Sequence, residues 1–246
     1  MNGERSVRGG LLAALALPLA LVVAALVIAG AATHIADSRA AVTVTGSAKR
    51  QIRSDMVIWR GTFSAQAPGL SDAYADLARQ MNQVRVYLIG KGVSDSALVF
   101  TAINTRTFFV IGPRGNETSA ISGYRLSQTV EVRSRDVERI TLLAREATEL
   151  IQKGVAFESN PPEYLYTKLA DLKVEMLADA TRDAKARAQE MAKNSGAQIG
   201  KLRGARMGVF QITPAFSNQV ADYGFNDTSS LLKDITAVVS MSFEIR

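Results

Sequence analysis

The stretch DMVIWRGTFSAQA, residues Asp55–Ala67, alternates apolar and polar side chains with the period of two that marks a strand. Val57, Trp59, Phe63 and Ala65 fall on one face, and Arg60, Thr62, Ser64 and Gln66 on the other. A strand of this kind turns one face to a core and the other to water, the pattern of an antiparallel sheet covered on one side.

On its N-terminal side, VTVTG at Val42–Gly46 reads as a second strand. On its C-terminal side the spacing of Tyr74, Leu77, Met81, Val84 and Leu88 predicts a helix with Ser71 as N-cap, ending at Gly90 or Gly92. A strand near Leu98–Phe109, a turn through Gly112-Pro113-Arg114-Gly115 and a strand at Gly123–Arg133 make a hairpin with a long tip. Tyr124, Leu126, Val130 and Val132 form the inner face of that last strand.

A second helix is expected over Ser134–Lys153, with Val137, Ile140, Ala144, Ala147 and Ile151 inward and Gly154 as its stop. A third begins near Tyr166–Lys168, beyond Pro161-Pro162, and runs to Asn194. Its stripe of Leu177, Ala180, Ala184, Ala188 and Met191 is dominated by small side chains that let a helix lie close to its neighbour. The last strands are near Lys201–Thr213 and Ile235–Arg246, and Pro214–Ser230 between them reads as a long mobile loop. The order ββα-ββα-β-α-ββ predicts an α+β fold, a mainly antiparallel sheet with helices packed on one face.

Ahead of this domain, Gly9–Ala32 carries no charge and is long enough to span a hydrocarbon core of about 30 Å as a helix. Arg5 and Arg8 precede it, which places residues 1–8 in the cytoplasm and carries the C-terminal part across the membrane. The length favours a retained anchor, while Ala29, Gly30, Ala31 and Ala32 keep open a cleaved signal segment that would release the protein into the periplasm. Residues 33–40 form a polar linker and 41–246 the domain. The expected location is a membrane crossed once, with the domain outside the cytoplasm; the resemblance given below makes this a bacterial inner membrane and the periplasm.

The composition excludes much chemistry. With no cysteine there is no disulfide, thiolate metal site or cysteine nucleophile. The one histidine, His34, lies in the linker, where no rigid support could hold a triad. Asp171, Glu175, Asp179 and Asp183 recur every four residues on one helical face, but Arg182, Lys185 and Arg187 beside them make this a solvated ion-paired face rather than a metal site. Gly112, Gly115, Gly204 and Gly208 fit no phosphate-binding loop. No catalytic residue, cofactor or metal is therefore expected, and the scattered net charge of +6 does not indicate nucleic acid. Two local candidates remain: Lys201, Arg203 and Arg206 as an anion-binding strand, and the adjacent Phe108 and Phe109, which point to opposite strand faces so that one could serve an oligomer contact.

Three stretches together resemble the SIMPL-domain family of bacterial envelope proteins: VTVTGSAKRQIRSDMVIWRGTFSAQ, GYRLSQTVEVRSRDVERI, and MLADATRDAKARAQEMAKNSGAQIGKLRGA followed by ITAVVSMSFEIR. The resemblance implies a periplasmic or membrane-anchored α+β protein without enzymatic activity, associated with envelope or oxidative stress tolerance and able to form homo-oligomers. It carries over no catalytic residues. The expected function is that of a self-assembling, non-enzymatic envelope protein. The alternative is a periplasmic binding module for an anionic ligand, a lipid headgroup or a protein partner.

Overall fold

Where the chain leaves its first strand, Ser54 and Asp55 send their hydrogen bonds away from the expected partner. Ser54 N–H donates to Leu231 O at 2.9 Å, Asp55 N–H to Leu165 O at 3.0 Å, and the Asp55 carboxylate accepts from the backbone N–H and the hydroxyl of Thr167, both at 2.7 Å. Consequently β1 (Ala41–Arg53) and β2 (Met56–Ala67) join different sheets instead of one. This corrects the single-sheet expectation, while the α+β class with antiparallel pairing stands.

The computed structural model describes Ala25 and residues 41–246. The segment Gly9–Ala32 as anchor or signal, the N-terminal residues 1–8, the linker and His34 lie outside the continuous described stretch. After β2 come α1 (Leu70–Gly90), a 3₁₀ turn (Asp95–Ala97), β3 (Leu98–Phe100), β4 (Asn104–Ile111), β5 (Glu117–Ser134), α2 (Val137–Glu146), α3 (Glu149–Gln152), β6 (Ala156–Ser159) and β7 (Glu163–Leu165). Then follow α4 (Leu169–Asn194), β8 (Ile199–Met207), β9 (Gln211–Pro214), β10 (Phe225–Asn226) and β11 (Leu232–Ile245).

The six-stranded sheet runs β3-β5-β2-β6, with β4 also on β5 and β7 also on β2. The five-stranded sheet runs β1-β11-β9-β10, with β8 also on β11. Its β9 and β10 pair in parallel, Phe225 opposite Gln211, so the expected loop at Pro214–Ser230 contains a short strand. By density of contact the described residues form two compact units. One comprises residues up to Ala48 with Met176–Gly208 and Ala237–Arg246, the other Lys49–Glu175 with Val209–Thr236.

The larger unit is organised by β2, whose inward residues Val57, Trp59 and Phe63 are completely buried. Gly61 completes that alternation. A Cβ there would come within 2.2 Å of the Phe157 ring, so the missing side chain is the space the phenylalanine fills. On the opposite face Arg60 faces Glu131 in register and binds it at 2.7 Å and Glu163 at 2.6 Å, and the Thr62 and Thr129 hydroxyls meet at 3.0 Å. Asn160 N–H donates to Arg60 O at 3.0 Å, and the two prolines that follow lack N–H groups, which separates β6 from β7 along the same edge.

Helix α1 starts from Gly69 rather than from Ser71, with no side-chain cap. Its buried residues are Ala73, Leu77, Val84, Tyr87 and Leu88, while Tyr74 is exposed. The small Ala73 replaces Tyr74 at the close approach, and the Tyr87 hydroxyl finds Glu146 O at 3.0 Å and the Glu149 carboxylate at 3.2 Å. The predicted second helix is two. Asp136 caps α2 by accepting from Arg139 N–H at 3.2 Å, and the break at Ala147 and Thr148 resets the helical phase so that Leu150 is buried and Ile151 exposed. Gly154, at φ 81°, ends α3 as expected.

In the smaller unit Ala180, Ala184 and Ala188 of α4 are wholly buried, with Met176 and Ala192. The ends of the predicted stripe differ. Met191 is exposed and Leu177 half-buried, because the contact follows a strict four-residue ladder that selects the smaller Ala192. Val239, Met241 and Phe243 alternate along β11 and are likewise buried.

Candidate functional site

Beyond Gly123, β5 and β4 continue as an arm closed by a turn in which Gly112 N–H donates to Asn116 O at 2.8 Å and Gly115 adopts φ 79°. Among the described residues β4 pairs with β5 alone, leaving an open backbone edge. Phe108 is half-buried, with the guanidinium groups of Arg106 and Arg125 at 5.4 and 5.5 Å from its ring centroid. A register shift separates it from Phe109, which lies opposite Ile121. Phe109, Val110, Ile111 and Ile121 retain 36, 43, 60 and 49% exposure, so the arm carries an apolar surface wider than the two phenylalanines read from the sequence.

Lys201, Arg203 and Arg206 all lie exposed on β8. A register shift occurs where Leu202 faces Phe243 and Gly204 faces Ser242, with Arg203 the residue in between, and the Arg203 guanidinium stands 3.6 Å from the Glu244 carboxylate. Arg206 lies opposite Ser240.

Glu175, Asp179 and Asp183 of α4 are ion-paired. Arg187 binds Asp183 at 2.8 Å, Arg182 binds Asp179, and Arg50 binds Glu175 at 2.7 Å. The Ser47 backbone N–H donating to Asp183 at 2.8 Å holds that carboxyl below its usual range, with Arg187 assisting. Among the described residues no group of three or more metal-ligating side chains could hold a metal ion.

One arrangement escaped the sequence reading. Lys233 and Asp227 are both buried, at 3 and 5% exposure, beside a cavity of about 240 Å³. Ile52, Leu165, Leu169 and Ile212 give it apolar walls, with Tyr164 and Tyr166. Lys233 Nζ donates to Tyr164 O at 2.6 Å and to Asp227 O, while Tyr164 N–H donates to Thr228 O at 2.7 Å. The Asp227 carboxylate accepts from Ser229 N–H at 2.9 Å, Ser229 Oγ at 2.7 Å and Ser230 N–H at 3.2 Å. A signal was present in the alternation of β11: counting back by two from Val239 through Ala237 and Ile235 reaches Lys233, a lysine on an inward register. Asp234, also buried, forms an ion pair with Lys49 at 2.9 Å and accepts from Phe216 N–H at 3.0 Å.

These carboxylates set the acid response. Burial works to raise Asp227, but the bonds from Ser229 and Ser230 and the charge of Lys233 outweigh it and hold the group below the usual carboxylate range. Lys49 does the same for Asp234, against burial and with help from Phe216 N–H. A carboxyl depressed in the folded state contributes stability that is complete above its unfolded pKa, about 4, and is lost as pH falls toward the folded value. The urea midpoint is therefore expected to stay level from neutral pH to about 5 and to fall below about 4. Asp227→Asn should be less stable at pH 7 and show a shallower acid decline; an unchanged slope would remove Asp227 from the account.

Antiparallel sheets and the helices packed with them define a mixed α+β protein. A match covering residues 42–243 shows that the chain belongs to the SIMPL family, described as a protein of unknown function (DUF541). No curated protein matches the chain. Among the described residues no helix is long and apolar enough to cross a membrane.

Proposed function

We propose that the protein is a non-enzymatic component of the bacterial cell envelope that acts by assembling with copies of itself. The observation that supports this is the β4–β5 arm, an open strand edge combined with exposed Phe109, Val110, Ile111 and Ile121. An edge offers unpaired N–H and C=O groups to another strand, and apolar side chains beside it supply the area that makes such pairing last. A second copy offers the same edge and the same apolar row, which a self-complementary contact requires.

The uncharged Gly9–Ala32 segment supports an inner-membrane anchor with residues 41–246 on the periplasmic side, or a cleaved signal that leaves the domain periplasmic. A part in envelope or oxidative stress tolerance follows from the family resemblance alone. The anion-binding alternative ranks second because Glu244 already engages Arg203, leaving Lys201 and Arg206 at separate places on β8.

Light scattering on the full chain in detergent is expected to give a discrete oligomer. Ile111→Asp with Ile121→Asp should dissociate it, each central apolar contact contributing about 2 kcal/mol, or roughly thirtyfold in Kd. A wild-type monomer, or an oligomer indifferent to both substitutions, would remove the arm from assembly.

A further inference from the structure

None of the residues lining the Lys233 cavity belongs to the β4–β5 arm, and the chemistry of the cavity is specific. Two carbonyl oxygens, from Tyr164 and Asp227, accept from Nζ. A neutral amine has two N–H bonds and one lone pair, so these acceptors satisfy it and leave the lone pair uncommitted. An ammonium has a third N–H, for which the described residues provide no acceptor. Burial pushes the Lys233 amine down from the ordinary lysine value, and the Asp227 charge only partly opposes this.

The character of the walls selects the ligand. With the Lys233 amine neutral, the Asp227 carboxylate is the charge left on the lining, so an anion entering the cavity meets no attraction. Ile52, Leu165, Leu169 and Ile212 favour a short hydrocarbon chain, while the exposed Thr167 and Asn226 put the lining in reach of solvent. We propose that this cavity takes up a small aliphatic aldehyde and holds it as an imine on Lys233.

The step balances without an oxidant or reductant. The Nζ lone pair attacks the carbonyl carbon as the C=O π bond opens, and proton transfer from nitrogen to oxygen gives a carbinolamine. Loss of that hydroxyl, with the remaining proton of the nitrogen, releases one water and leaves the C=N bond. Hydrolysis reverses it, so the protein would hold the aldehyde stoichiometrically rather than turn it over.

The test is reductive trapping. The full chain in detergent is treated at pH 7 with butanal and cyanoborohydride, and the butylated lysines are quantified by peptide mass spectrometry. Lys233 is expected to be butylated faster than the exposed lysines, since burial leaves more of it as the neutral amine and the cavity beside it holds the aldehyde. That preference should vanish in concentrated urea, where the cavity is absent. Labelling of Lys233 no faster than exposed lysines in the folded protein would overturn the proposal. So would a preference that persists in urea, because it would then belong to the local sequence and not to the cavity.

Discussion

Trp59→Ala is expected to lower the stability of the chain by about 4 kcal/mol, a thermal midpoint shift of about 8–16 °C for a domain of this size. Trp59 is completely buried, its ring centroid lies 6.2 Å from that of Phe157, and its indole N–H donates to Ser159 Oγ at 3.0 Å. That hydroxyl in turn donates to Ala144 O at 2.6 Å, so the indole ties β2 to β6 and β6 to the end of α2. Truncation removes the largest buried ring of the core and opens a cavity that the surrounding strands cannot collapse to fill, because Phe157 is already seated over Gly61. Trp59→Phe should cost much less, about 1–2 kcal/mol, since the ring area largely remains and Ser159 keeps its bond to Ala144. Circular dichroism must be the probe, as Trp59 is the only tryptophan. Equal losses for the two variants would mean that the hydrogen-bond chain, not the packed volume, carries the effect.

Trp59 also shows why part of the fold could be read directly. The alternation in Asp55–Ala67 assigned Val57, Trp59, Phe63 and Ala65 inward, and all four are buried. The Arg60 and Thr62 face was equally legible, and it forms the ladder with Glu131 and Thr129. What periodicity could not supply was pairing choice. Whether β1 follows β2 into one sheet is settled at Ser54 and Asp55 by bonds to Leu231, Leu165 and Thr167, residues more than a hundred positions away. Helix phase failed for a related reason. Tyr74 and Ala73, or Ile151 and Leu150, are neighbours that both fit a period of 3.6, and only the distance to the opposing layer decides between them. The Phe108 and Phe109 pair drew attention to the arm, but its breadth depends on the register that sets Ile121 opposite Phe109. Lys233 was missed because the expected strand began at Ile235, whereas β11 starts at Leu232 and carries the inward alternation back to the lysine. Its two carbonyl partners belong to Tyr164, on a different strand, and to Asp227, in a segment read as a loop.

Gly46→Ala should be nearly as damaging as the loss of Trp59, about 3 kcal/mol, although it adds one methyl group. A Cβ at Gly46 would stand 2.3 Å from Ala180 O, 2.3 Å from Ala184 N and 2.6 Å from Ala184 Cβ. Two of these are backbone atoms of α4, which cannot rotate aside as a side chain can, so the helix itself must move. Such movement would disturb the bond from Ser47 N–H to Asp183 at 2.8 Å and the burial of Ala180, Ala184 and Ala188 along the same face. The alanine stripe and the glycine of VTVTG are thus two halves of one close approach. A second substitution separates this explanation from ordinary side-chain crowding. In Gly46→Ala combined with Ala184→Gly the Cβ–Cβ clash is gone, but the contacts to Ala180 O and Ala184 N remain, and the new helical glycine costs roughly 1 kcal/mol more. The double variant is therefore expected to unfold at lower urea than the single one. Rescue by Ala184→Gly would show instead that α4 yields at its side chains and that its backbone does not set the limit at Gly46.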